Sequence, residues 1–324
     1  MRFSHLPLLL GLIAVNTWAQ SPSGGFPSKP IRFVIPSAVG STPDIGARIA
    51  AKFMSADLGQ SIIVDNRPGA NGVVAMNDVL NSPHDGYSYL VAPSGTMALS
   101  PFVYKALAKA ITDFSPAGQL YKTDQSLVVR ADGPFQSVAD IVKKAKEKPG
   151  SVTAAYSAPG NISQAALELF KQRTQTDLYS VNFNTSVAAA VGVAAGNADM
   201  LFETIAATEP LVRSGKLRRI AMTGRQRSAF APNIPTIIES GVGDFVVTAW
   251  GGVFAPKDAP AANIKAVGDS LARALKNPEA VSLLKSSGLD AGDLSASDFE
   301  KLWHADADLW RKTVEASPNL RIEN

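Results

Sequence analysis

The chain has 324 residues, 46% of them hydrophobic and 18% charged, with a formal net charge of +3 and no cysteine. Without cysteine it has neither a disulfide framework nor a lipid-bearing cysteine behind an export signal. Basic and acidic side chains nearly balance, 31 against 28, with no basic stripe, so nucleic acid and membrane surfaces have no electrostatic claim on it.

Residues 1–19 carry Arg2, an apolar run from Leu6 to Val15 and the small-residue end Thr17-Trp18-Ala19, the layout of a secretory signal peptide cleaved after Ala19. The apolar run is about ten residues, too short for a membrane span of roughly 20. An exported protein of the bacterial periplasm is expected. The mature length favours two domains over one.

"IRFVI" (31–35) is a β-branched, aromatic strand, followed by a helix with Ile45, Ile49, Phe53 and Leu58 on one face and a stop at Gly59. "SIIVD" (61–65) is a strand, "NRPGANG" (66–72) a turn-rich loop, 73–81 a short helix and "YSYLVA" (87–92) a strand. The chain changes character near 125–135, and 137–150 is an amphipathic helix. A second strand, small-residue loop and helix then follow at 151–157, 158–163 and 164–174, with further strands at 198–202 and 217–223. Residues 241–256 cross back, and the tail, 261–315, is helical with breaks at Asn277-Pro278 and Ser287-Gly288. The expected fold is α/β, with two domains like those of a periplasmic binding protein, a central cleft, and mostly parallel sheets flanked by helices. One domain comprises 27–126 with 249–324, and the other comprises 127–248.

In "VIPSAVGSTPDIGARIA" (34–50), Ser41 or Thr42 can cap the helix, and Pro43 and Asp44 suit its first turn. A helix start presents unpaired N–H groups and can hold an anion without a cationic side chain, although most such starts bind nothing. Catalysis has little to work with: beyond the signal only His84 and His304 remain, and metal-ligand clusters of Cys or His are absent. "VAPSGT" (91–96) places Ser94 on a strand-to-helix turn, but Thr96 stands where a nucleophile elbow has its second glycine. A secreted serine hydrolase using Ser94 is the alternative to a binding protein.

The linked segments "PSKPIRFVIPSAVGSTPD", "LGQSIIVDNRPGANGVVA", "HDGYSYLVAPSGT", "TDFSPAGQL", "VRSGKLRRIAMTGRQRSAFAPNIPTIIESG" and "WGGVFAPKDAP" closely resemble the Bug family, the periplasmic solute-binding receptors of tripartite tricarboxylate transporters. The resemblance covers essentially the whole mature chain. It implies a non-enzymatic monomer without cofactor or metal that closes two domains around a small carboxylate or amino-acid-like ligand. Its partners would be a membrane permease or, in signalling, a sensor protein.

The resemblance also implies where the ligand is held. Its first loop supplies Ser37, Ala38, Gly40, Ser41, Thr42 and Asp44. The second supplies Ala158, Gly160, Asn161 and Ser163, the third Ser94 and Thr96, and the strand end near 202 supplies Glu203 and Thr204. Four departures from the family pattern bear on the ligand. Pro43 removes a backbone donor, Ile162 adds an apolar side chain, Gly192 stands where an aspartate is usual, and Glu203-Thr204 replaces Asp-Asn. Glu203 either faces the cleft and favours a ligand with an amine or hydroxyl, or caps and pairs at the domain edge. Trp250 either walls the cleft or belongs to the core.

Overall fold

A computed structural model describes residues 25–157 and 159–320; residues 1–19, expected to be a signal peptide, lie outside the described residues. In chain order the elements are β1 (Ile31–Ile35), α1 (Thr42–Leu58), β2 (Ile62–Asn66), α2 (Val73–Leu80), β3 (Ser88–Pro93), α3 (Ser100–Val103), α4 (Ala110–Asp113) and β4 (Phe114–Arg130). Next come α5 (Val138–Glu147), β5 (Thr153–Ser157), α6 (Ile162–Thr174), β6 (Tyr179–Phe183), α7 (Ser186–Ala194), β7 (Met200–Thr204), α8 (Ile205–Arg213) and β8 (Leu217–Met222). The return leg is β9 (Thr248–Pro256), α9 (Ala261–Ala274), α10 (Pro278–Ser286), β10 (Asp290–Ala291) and α11 (Ala296–Ala316).

The strands run in the order β2-β1-β3-β9-β4-β7-β5-β6, with β8 and β10 also paired to β4. Parallel pairs make up the two wings, β2-β1-β3 and β7-β5-β6, whereas β9 and β4 run antiparallel between them, so the sheet is mixed rather than mostly parallel. The 17-residue β4 is the spine of the molecule. Residues up to Asp124 pair with β9, and from Gln125 onward the strand pairs with β7 and β8. Its first half carries Pro116 and Gly118, which mask a strand in the sequence; the register shift between these two residues absorbs them.

α1 buries Gly46, Ala47, Ala50, Ala51 and Met54, whereas the bulkier Ile45, Ile49, Phe53 and Leu58 are only half-buried. The reason is close approach: a Cβ at Gly46 would sit 2.9 Å from the ring of Tyr121, so the helix can lie on the sheet only along its small-residue face. Gly59 ends α1 at φ 65, a left-handed conformation that glycine adopts without steric cost. α5 starts with a reciprocal capping box between Ser137 and Asp140.

The tail helices α9 and α10 pack against α1, and α11 lies against β4 and α6. From α11, Phe299, Trp303 and Trp310 enter a core that runs without a break from Val34 and Leu90 to Phe170, Phe202 and Phe245. Each such side chain contributes roughly 1.5–3 kcal/mol by leaving water. Trp303 also donates its indole N–H to the Met97 carbonyl at 2.8 Å, fixing α11 over the turn at 95–99.

Candidate functional site

β1 and β3 run opposite to β5 and β7, so the carboxyl ends of the two pairs face each other where β4 passes from β9 to β7, and the segments beyond them surround a cavity of about 320 Å³. The carboxyl ends of strands at a topological crossover are where open α/β sheets bind ligands. None of the described residues lining it carries a charged side chain. Polarity comes from Thr42, Ser94, Thr96, Ser100, Thr123 and Thr204, from the amides of Asn71 and Asn161, and from Tyr104 and Tyr121. Pro36, Pro43, Pro93, Pro159, Ile162, Ala249 and Trp250 provide the apolar wall.

The first loop is shaped by a buried carboxylate. Asp44, 1% exposed, accepts from the Gly40 N–H at 2.8 Å, from Arg48 Nε at 3.0 Å and from Asn66 Nδ2 at 3.0 Å. Burial pushes its pKa up, but Arg48, the Gly40 N–H and Asn66 outweigh that and hold it below the usual carboxylate range. Gly40, at φ 81, makes the turn that brings its N–H onto Asp44. Ser37 and Ser41 bond to each other at 2.7 Å. Ser41 occupies the cap position of α1, but no side chain caps the helix. Thr42 and Asp44 therefore present first-turn N–H groups without an intrahelical acceptor, and Pro43 between them has none to offer.

The second helix start is filled by the chain itself. Asn161 caps α6 by accepting from the Gln164 N–H at 3.0 Å, and Gln164 Oε1 accepts from the Gly160 N–H at 2.7 Å. Ser163 donates to the Phe202 carbonyl at 2.6 Å and is buried away from the cavity. Glu203, 3% exposed, accepts from Ser157 Oγ at 2.7 Å and from the Thr204 N–H at 2.8 Å, so both of its oxygens are engaged behind the wall.

Of the residues expected to contact ligand, Thr42, Ser94, Thr96, Gly160, Asn161 and Thr204 line the cavity. Ser37, Ala38, Gly40, Ser41, Asp44, Ser163 and Glu203 do not line it; Asp44, Ser163 and Glu203 brace the loops that do. Ala158 lies outside the described residues. Trp250 is both core and wall: it is fully buried, lines the cavity, and donates its indole N–H to Asp306 at 2.6 Å. Gly192 has no room for an aspartate, since a Cβ there would overlap the Phe183 ring.

Sequence reasoning missed Asn71, Ser100, Tyr104, Tyr121 and Thr123. Asn71 had a signal, the turn-rich "NRPGANG", where Ala70 and Asn71 adopt positive φ. Tyr121 and Thr123 had none, because the first half of β4 does not read as a strand.

The hydrolase alternative lacks its geometry. Ser94 is 1% exposed, and among the described residues its hydroxyl has one hydrogen bond, accepted from the Trp250 N–H at 3.4 Å. His304 is exposed and stacks on Trp303, while His84 pairs with the Leu80 carbonyl and Asp258. No histidine hydrogen-bonds Ser94 among the described residues, so a nucleophile–base pair is not assembled.

The chain is similar to proteins of the same architecture. It is 29% identical over 308 residues, 95% of this chain and 91% of the relative, to the UPF0065 protein in the tcbD-tcbE intergenic region of Pseudomonas sp. strain P51. Among solved structures, R. palustris Rpa4515 with adipate superposes with a TM-score of 0.77 at 28% identity, covering 90% of this chain and 98% of that one. MatC from Rhodopseudomonas palustris with bound malate gives 0.75 at 25% identity, covering 89% and 100%. Residues 46–318 match the tripartite tricarboxylate transporter family receptor, so the chain belongs to this family of periplasmic solute-binding receptors.

Proposed function

We propose that this receptor captures a small carboxylate between two domains, 27–126 with 249–324 and 127–248, hinged where β4 passes from β9 to β7 and β8. The observation that carries the reading is the uncapped start of α1, which opens on a cavity whose lining holds no charged side chain. Backbone N–H groups and the helix dipole there suit a carboxylate, and surrounding hydroxyls complete its solvation. Two structural relatives carry adipate and malate, which supports an organic acid here.

Closure would trap the ligand and form the face that a membrane permease of the tripartite transporter, or a sensor protein, recognises. The protein would act as a monomer in the periplasm, without cofactor.

Native mass spectrometry of residues 20–324 tests the reading. A carboxylate released on denaturation at about one per chain, and rebinding on titration, is the expected result. Turnover of an ester that Ser94→Ala abolishes would establish the hydrolase instead.

A further inference from the structure

Pro159, Gly160 and Asn161 form one stretch of the cavity wall, and a single residue behind it, Gln164, grips two of the three. Its backbone N–H donates to Asn161 Oδ1 at 3.0 Å, and its side-chain oxygen accepts from the Gly160 N–H at 2.7 Å. Gln164 is 3% exposed and does not line the cavity. The other end of its amide is engaged as well, since Nε2 donates to the Asn319 carbonyl at 3.2 Å. A carboxamide accepts on one atom and donates on the other, and the two partners fix which atom faces which.

Asn319 lies just beyond α11 and is set in place by its neighbours. Gln172, about two turns further along α6, donates to the Thr313 carbonyl at 3.3 Å and to Ser317 Oγ at 2.9 Å. Leu320 is fully buried in the core that also holds Phe170. Nearer its start, α11 is tied to a different wall. Trp303 donates to the Met97 carbonyl at 2.8 Å, at the turn that carries Ser94, Gly95 and Thr96 to the cavity. Trp303 and Thr313 are about 15 Å apart along the helix at roughly 1.5 Å per residue. One stiff element therefore reaches the backs of two cavity walls that belong to different domains in the partition proposed above.

We propose that Gln164 is a positioning residue for the ligand loop 159–161, and that it takes its own place from α11 and the residues after it, so that α11 sets the spacing between this loop and the turn at 94–97. The inference rests on the receptor reading above for what the loop holds. Without Gln164, Gly160 regains the backbone freedom of a glycine, and the loop must be ordered at the moment of binding, which is taken out of the affinity.

Amide hydrogen exchange, read by NMR on the ligand-free mature protein, tests the coupling, and adipate calorimetry tests its consequence. Gln164→Met removes both amide bonds at similar size and should speed exchange at Gly160 by about tenfold. Gln172→Met alters neither the loop nor Gln164, yet it should speed exchange at Gly160 by about three- to fivefold and weaken adipate by a similar factor, with Ser317→Ala doing the same to a smaller degree. Amides of Leu167–Phe170 in the middle of α6 should keep the parent's rates. Unchanged exchange at Gly160 in Gln172→Met and Ser317→Ala overturns the inference. Equal acceleration through the middle of α6 also overturns it, because that marks a loosened helix rather than a displaced loop. Faster exchange with adipate affinity unchanged removes the positioning role. A parent that binds neither adipate nor malate at millimolar concentration, and carries no carboxylate through purification, overturns the receptor reading instead, and the exchange rates still decide the coupling.

Discussion

Tyr104 donates its hydroxyl to the Pro159 carbonyl at 3.1 Å, tying the residue after α3 to the loop after β5 across the cavity. The contact depends on Gly160, at φ 69, where a Cβ would sit 2.8 Å from Val103 Cγ1 and 3.0 Å from the Tyr104 hydroxyl. Tyr104→Phe removes one neutral hydrogen bond of about 1 kcal/mol between these two segments. It should raise the ligand dissociation rate about fivefold with little change in association, as stopped-flow fluorescence would read. Gly160→Ala adds a clash and an unfavourable backbone region, so its loss of affinity should exceed that of Tyr104→Phe; an equal or smaller loss would mean that the two sides do not meet on binding.

Asp44 places a negative charge in the first turn of α1, where a bound anion would be repelled unless the charge is neutralised. Arg48, half-exposed, does this by an i,i+4 ion pair at 2.9 Å and also donates to Asn66. Arg48→Met should weaken carboxylate binding by about tenfold, and the defect should shrink as salt screens the uncovered charge. Calorimetry at low and high salt reads both effects. The depressed pKa of Asp44 stabilises the fold above the unfolded-state value and is lost as pH falls through the folded one, so Asp44→Asn should lower the melting temperature at neutral pH and converge with the parent in acid.

Much of this arrangement is legible in the amino-acid sequence because its signals are local. Gly59, the amphipathic run from 137, and Asn277 before Pro278 mark helix ends that the structure keeps. The small-residue loops at 36–44 and 159–163 identify two walls of the cavity before any contact is known. What escapes is set by tertiary pairing. Half of β4 is invisible because Pro116 and Gly118 break its pattern, and that half carries Tyr121 and Thr123. β6, α7 and α8 escape as well. The core face of α1 is misread for a similar reason: hydrophobicity points to Ile45, Ile49 and Phe53, but the proximity of Tyr121 selects Gly46 and Ala47. Side chains that fold back on their own loop, such as Glu203 and Gln164, look the same in sequence as side chains that reach a ligand.

Glu203 makes that last point testable. Its carboxylate holds Ser157 and the Thr204 N–H, and it is absent from the cavity lining. Glu203→Gln replaces one acceptor with a donor beside these groups, so it should cost about 1–3 kcal/mol of stability in urea unfolding. The relative affinity for amine-bearing and amine-free acids should not change. A selective loss of amine-bearing ligands would return Glu203 to the ligand's first contacts.

Asp306 on α11 accepts the indole N–H of Trp250, the residue that walls the cavity. Burial pushes its carboxyl up to about 6, against the opposing pull of the Trp250 N–H. A carboxyl raised above its unfolded value stabilises the fold most when protonated. That contribution is complete below the unfolded-state pKa of about 4 and is lost as pH rises through about 6. Asp306→Asn stays neutral and still offers Trp250 a carbonyl oxygen, so it should melt higher than the parent at about pH 8, with the gap closing by about pH 4. Melting curves of the two proteins across that range, read by tryptophan fluorescence, decide it; a gap that widens in acid would show that the ionised carboxylate, not the protonated form, is what holds Trp250 in the wall.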